Sequence, residues 1–215
     1  MRKTSDIIKE RINTAKARYN ANDNISEFIK PGELELLQNE VQNELQRVLS
    51  SLVIDTEHDH NTKETAERVA KMFLNETFGG RYVPEPRVTS FPNMGYKSMY
   101  TSGPISIKST CAHHLQNIVG RAWVGIIPNG EVIGLSKFNR IVHHIVERPQ
   151  IQEEMTTQIA EELKRYAKTE NLAVVVKAEH HCMTHRGVRE HESDMRSEEY
   201  TSELQSPMYL VCRLL

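Results

Sequence analysis

The sequence predicts an α+β fold, an antiparallel sheet with helices packed on one face and further helices N-terminal to it. Three observations predict it. Apolar residues recur at helical spacing up to residue 80, and the period falls to two between 81 and 135. Two more helical stretches then lead into a β-branched strand.

Residues 1–30 are polar and weakly periodic, with "NANDN" at 20–24, and read as a short helix and a loose connector, an N-terminal extension. In 31–53, Leu34, Leu37, Val41, Leu45, Val48 and Leu52 are spaced by three and four, the mark of a helix, with Pro31 near its start. Residues 55–80 read as a loop and a second helix with Val69, Met72, Phe73 and Leu74 on its apolar side. Asn61 with Glu64, or Thr62, is its candidate cap, and Gly79-Gly80 its expected left-handed end. Strands are expected at 86–91, 97–101, 104–110, 118–127 and 131–134, with "PNG" (128–130) as a hairpin turn between the last two. Helices are expected at 136–148 and 151–169, separated by Pro149, and a strand at 172–183.

The chain has 215 residues and a formal charge of −2, which gives no footprint for nucleic acid. An anionic ligand must be held by a local cluster of Lys and Arg. Three cysteines, Cys111, Cys182 and Cys212, do not make a disulfide framework and suit a reducing compartment. The N-terminus has no apolar core of a secretory signal, and no run of 18 apolar residues occurs. The expectation is a cytoplasmic protein without membrane or nucleic-acid partners.

Two stretches carry the chemistry, "STCAHHLQNI" (109–118) and "AEHHCMTHRGVR" (178–189). A Cys-x-x-His pair with a distant Cys supplies two thiolates and one imidazole, three ligands that leave a fourth position open as catalytic zinc requires. Cys111 and His114 are three apart, so a turn at a strand end folds both onto one ion. His113 is one position off and points beside the metal, where a general acid or water-orienting group is needed. His180 and Cys182, two apart on a strand, share a face, and His181 takes the other. His143 and His144, mid-helix, are explained by packing or exposure, and His185, either a support to the metal ligands or a surface group, is left out of the site.

Arg68, Lys137, Arg140, Arg186 and Arg189 are the cations whose convergence would suit a polyphosphate. A helix starting at Ser136 would aim N–H groups at an anion. Glu153, in the opening turn of its helix, is either a carboxylate favoured by the helix dipole or an acceptor for a purine's ring N–H and amino group.

"TAERVAKMF" (65–73), "STCAHHL" (109–115), "IPNGEVIGLSKFNRIV" (127–142), "RPQIQEEMTTQIA" (148–160) and "AEHHCMTHRGVR" (178–189) resemble GTP cyclohydrolase I, from about 31 to 195. The resemblance implies the tunnelling fold (T-fold), with a helical part at 31–80 and sheet plus helices at 81–195. It implies opening of the guanine imidazole ring of GTP at C8, release of formate, and closure to 7,8-dihydroneopterin triphosphate. It assigns Cys111, His114 and Cys182 to Zn2+, His113 and His180 to proton transfer, and Ser136 to the later steps. It assigns Gln152 and Glu153 to guanine, and Arg68, Lys137, Arg140 and Arg186 to the triphosphate. The implied assembly is a homodecamer with sites between subunits. Another tunnelling-fold enzyme of 7-deazaguanine metabolism and an inactive purine-nucleotide-binding module are the competing expectations.

Ala112 stands where the family usually has Glu, and Ala66 where proline is common. After Met195 the text "RSEEYTSELQSPMYLVCRLL" (196–215) resembles a translated sequencing adapter and is expected to be a non-native tail that leaves the sheet without an edge.

Overall fold

A computed structural model describes residues 2–200, and the chain divides into two compact units at Pro84 and Glu85. In the first unit, helix α1 (Thr4–Thr14) is followed by a 3-10 turn at Ser26–Phe28, and α2 covers Glu33–Ser51. Helix α3 (Thr65–Met72) runs on through a π-helical turn at Phe73–Thr77 to the short α4 (Gly79–Tyr82). Ile8, Ile12 and Ile25 are buried with Leu37 and Tyr82 packed against them, so residues 1–30 contribute to the core of this unit. The connector is fastened by Asn24, whose side-chain amide donates to the carbonyls of Gly80 (2.8 Å) and Val83 (2.7 Å). Arg11 bridges to Glu33 at 2.6 Å, and that hydrogen bond holds the Glu33 carboxyl down at about 2.

Two expectations fail here for local reasons. Gly79 and Gly80 do not end a helix in the left-handed region; both lie inside α4. Neither Asn61 nor Thr62 caps α3, because Glu64 occupies the cap position and the Thr62 hydroxyl donates to the Asp55 carbonyl at 2.6 Å. The apolar stripe of α2 is formed, but none of it is fully buried, and Val48 and Leu52 are exposed.

The second unit contains β1 (Ser90–Pro92), β2 (Tyr100–Cys111), β3 (Asn117–Ile126) and β4 (Glu131–Ile133). After them come α5 (Leu135–Val146), β5 (Pro149–Gln150), α6 (Gln152–Ala167), β6 (Leu172–His180), α7 (His181–Thr184) and β7 (Met195–Tyr200). The main sheet has the order β5-β2-β3-β6-β7, antiparallel except for the short parallel β5–β2 pair. The expected strands at 97–101 and 104–110 are one strand, β2, with an irregularity between Ser102 and Ile105. "PNG" does not make a hairpin: β4 pairs with β1, while β3 pairs with β2 and β6. The expected strand at 172–183 stops at His180, and Cys182 sits on α7.

Alternation along the strands sends Ile105, Ile107, Ile118, Ala122, Val124, Val174 and Val176 to one face. There they meet Phe138, Ile141 and Ile145 of α5 and Met155, Ile159 and Leu163 of α6. Each of these side chains except Ala122 contributes about 1.5–3 kcal/mol by leaving water. β7 pairs along β6 from Ala173↔Tyr200 to Ala178↔Met195. The sheet therefore keeps an edge strand, contrary to the expectation drawn from the tail. Residues 201–215, with Cys212, lie outside the described residues. No described helix is long and apolar enough to cross a membrane.

His144 of α5 is half-buried, and its Nε2 has no hydrogen-bond partner. Burial, and then the charge of Arg148, lower its pKa from 6.5 to about 4, with Glu85 pulling weakly the other way. The unfolded chain takes up this proton more readily, so stability is whole above pH 6.5 and is lost as pH falls towards 4. The loss expected is about 1–2 kcal/mol, allowing for the water that still reaches the ring. Urea unfolding midpoints compared at pH 7 and pH 5 should show it, and His144→Gln should reduce the difference.

Candidate functional site

Strand register brings distant parts of the chain to one end of the sheet. Ile118 of β3 pairs with Ser109 of β2 on one side and His180 of β6 on the other. Two residues past Ser109, Cys111 ends β2 and pairs with Gln150 of β5, whose chain turns at once into α6. Cys111, the first turn of α6, His180 and Cys182 thus belong to one corner, on the helix-covered side. Gly120, two residues along β3, permits the close β3–β6 approach there; a Cβ on it would lie 2.2 Å from the Lys177 carbonyl oxygen.

The two thiols are free and interact with each other. Burial, followed by the neighbouring Cys111, pushes the Cys182 thiol up, while Arg186 pulls it the other way. Cys111 is buried and packs with the apolar core. Beyond it the chain makes the turn 112–115, closed by the Leu115 N–H on the Cys111 carbonyl (2.9 Å) and tied to β5 by the Ala112 N–H on the Gln150 carbonyl (3.1 Å). Both histidines of that turn are exposed. His113 Nδ1 lies 3.9 Å from Cys111 Sγ, and the His113 and His114 ring centres are 6.5 Å apart. Cys111, His114 and Cys182 are not drawn together as three donors. Among the described residues the set within 4.8 Å of one another is Glu179, His181 and His185. The thiol pair fits zinc by its chemistry, since two soft sulfurs side by side are its favoured donors, and His114 on the adjacent turn is the nearby imidazole that would complete them.

Gln152 is fully buried at the start of α6. Its Nε2 faces the carbonyls of Val176 (3.2 Å) and Met195 (3.0 Å) and the Ser197 hydroxyl (3.0 Å). Carbonyls only accept, so this end of the amide is the NH2 and the other end is Oε1. Oε1 is 2.8 Å from His180 Nε2, which must then carry the proton. The tautomer follows: Nε2–H is held by Gln152, and Nδ1 has the lone pair. Burial lowers the His180 pKa, and the Glu153 carboxylate opposes this. The Gln152 side chain is thus engaged inside the protein, with Val176, Met195, Ser197 and His180. Glu153, next in the chain, is exposed.

The cations are dispersed. Lys137 and exposed Ser136 and Arg140 lie in the first two turns of α5. That helix starts at Leu135 after Gly134, with no side-chain cap. Phe138 in the same turns packs edge-on against Tyr100, at the start of β2, and Cys111 is at the end of that 12-residue strand. Roughly 35 Å of extended chain separates the two ends. Arg186 is exposed beyond α7, and its charge reaches Cys182. Arg68, in the first unit, is exposed and paired with Glu64 at 2.6 Å.

A sheet with helices on one face that gathers two thiols, an oriented imidazole and an exposed carboxylate at one end is consistent with a tunnelling-fold enzyme, and comparison with known proteins gives the family. The family model described as GTP cyclohydrolase I matches residues 41–210. A GTP cyclohydrolase 1 of Flavobacterium johnsoniae is 40% identical over 169 residues, 78% of this chain and 75% of the relative. Those of Vibrio vulnificus and Vibrio cholerae are each 40% identical, over 156 and 150 residues, covering 71% and 69% of the relatives. The chain belongs to the GTP cyclohydrolase I family.

Nitrogen-15 shifts of the His180 ring should report the Nε2–H form. Gln152→Leu should mix the tautomers and, by stranding the two carbonyls, cost about 1–3 kcal/mol of stability in urea unfolding.

Proposed function

We propose that this chain opens the imidazole ring of the guanine of GTP by hydrolysis and recloses the product to 7,8-dihydroneopterin triphosphate. Two waters enter, one at C8 and one to release formate, and one leaves when the rearranged sugar closes on the pyrimidine. The net reaction is GTP plus water to formate and the pterin triphosphate. The observation that carries the reading is the corner where Cys111, Cys182 and the His180–Gln152 pair meet, in a chain of this family.

Cys111, Cys182 and His114 would hold a zinc ion, which supplies Lewis acidity and a water acidic enough to be hydroxide near neutral pH. The other steps fall to the chain itself. His180, with Nε2–H fixed by Gln152, offers Nδ1 to take up or return a proton on the opening ring. His113, beside Cys111 on the turn, is the second proton carrier. Glu153 accepts hydrogen bonds from the guanine ring N–H and 2-amino group. Ser136 acts in the later rearrangement. Lys137, Arg140, Arg186 and Arg68 neutralise the triphosphate.

We infer a homo-oligomer, a decamer by family resemblance, in a reducing cytoplasmic compartment. Two observations support assembly. Ser136, Lys137 and Arg140 are a strand's length from the thiols of their own chain, so cations of another subunit would have to complete the site. The α2 stripe also leaves Val48 and Leu52 uncovered.

Incubation with GTP should give formate and a fluorescent pterin after oxidation; GTP binding without formate would favour an inactive binding module. Cys182→Ala should lose zinc and all turnover. His113→Ala should keep zinc and lose ring opening, by a factor of about 10²–10⁴. Glu153→Gln should raise the KM for GTP more than it changes bound zinc.

A further inference from the structure

We propose that Glu179, His181 and His185 form a second divalent-metal site, separate from the thiol pair. Along the end of β6, alternation turns His180 towards Gln152 on the helix-covered face and Glu179 towards the open face. His181 opens α7, and the His185 N–H donates to its carbonyl at 3.0 Å. That spacing of four on one helical turn stacks the two imidazoles, with ring centres 4.2 Å apart. The Glu179 carboxylate is 3.8 Å from His181 Nε2. One ligand atom from each of the three lies within 4.8 Å of the others. Tetrahedral zinc needs such atoms about 3.4 Å apart, so side-chain movements of about 1 Å close the set.

Two neighbours favour ligation. Lys177, the cation on the same face of β6, is paired with Asp194 at 2.9 Å, which takes it away from Glu179. The hydroxyl of Thr184, itself buried, lies 2.8 Å from His185 Nδ1. In the tautomer in which Nδ1 donates there, Nε2 keeps the lone pair a metal takes, the usual second hydrogen bond of a metal-binding imidazole. Two imidazoles and a carboxylate suit zinc, cobalt, nickel or copper rather than magnesium or calcium. Three protein ligands leave room for water. The ion would pin the backbone from 179 to 185, the segment that also carries His180 and Cys182.

The test is Co2+ titration of the chelator-stripped full chain, followed by absorption, with Zn2+ content measured in parallel. The expected result is two metals per chain: one with the near-ultraviolet thiolate-to-cobalt band, the other with visible ligand-field bands alone. His185→Ala and Glu179→Gln should weaken the second by at least tenfold and leave the thiolate band intact. Cys182→Ala should lose the thiolate band and keep the second metal. A wild-type chain that binds a single metal and shows the thiolate band, or a His185→Ala chain that still binds two with unchanged affinity, overturns the proposal. Loss of the thiolate band from the wild type would instead count against the first site.

Discussion

The register of three strands governs everything at the site. Ser109, Ile118 and His180 lie in one row across β2, β3 and β6. Side chains alternate with a period of two, so a slip of one residue in either ladder would turn His180 away from Gln152 and move Cys111 off the covered face. The register is itself held by the core. Ile107, Ile118, Val174 and Val176 must all face α5 and α6, and a slip would expose them. Chemistry at the sheet end thus inherits its precision from hydrophobic burial along the sheet, at no separate cost in ordering.

Gln152 converts that frame into a defined imidazole. One side chain ties the start of α6 to β6 through Val176, to β7 through Met195 and Ser197, and to His180. What this asks of β7 is modest: a backbone carbonyl at 195 and a small hydroxyl at 197. The hydroxyl of Thr156 also meets Ser197 at 2.6 Å, so the inward position of β7 is hydrogen-bonded from two turns of the same helix. "RSEEY", whatever its origin, meets these demands because strand pairing is a backbone property and a serine falls at the inward position. Residues 196–200 therefore continue the sheet even though they resemble an adapter.

Much of the architecture was legible, and the reasons differ by element. α2, α5 and α6 have apolar residues at helical spacing, and β3 and β6 have long β-branched runs, signals that survive any tertiary context. β1 and β4 were visible as strands, but the hairpin expected of "PNG" was wrong: turn chemistry states where the chain bends, not which strand the next segment pairs with. Cys111 and Cys182 were readable as a pair because Cys/His clusters at two strand ends are uncommon, and the structure does bring the two thiols together. Gln152 entered by resemblance, as a guanine contact, and its internal hydrogen bonds were not legible: only the three-dimensional path of β6 and β7 brings Val176, Met195 and Ser197 to its amide. His181 and His185 were passed over singly; their signal was the spacing of four, which has force only once a helical turn is known to start at His181.

The junction of β6 and α7 that served the first site also bears on the second. Alternation at the end of β6 sends His180 to the buried corner and Glu179 to the opposite side, and the turn of α7 that follows packs Cys182 on the core and sets His181 beside Glu179. The backbone between them is shared, so a force applied on one face is felt on the other. α7 is a single turn and its supports are few: the His185 N–H on His181, the packing of Cys182 on the core, and buried Thr184. Such a turn opens locally at small free-energy cost. Ligation of His181 and His185 together would lock the turn, while the interaction of Cys182 with Cys111 holds it from the other side. Each site would then reduce the ordering entropy the other must supply, and coupling between them needs no change of fold.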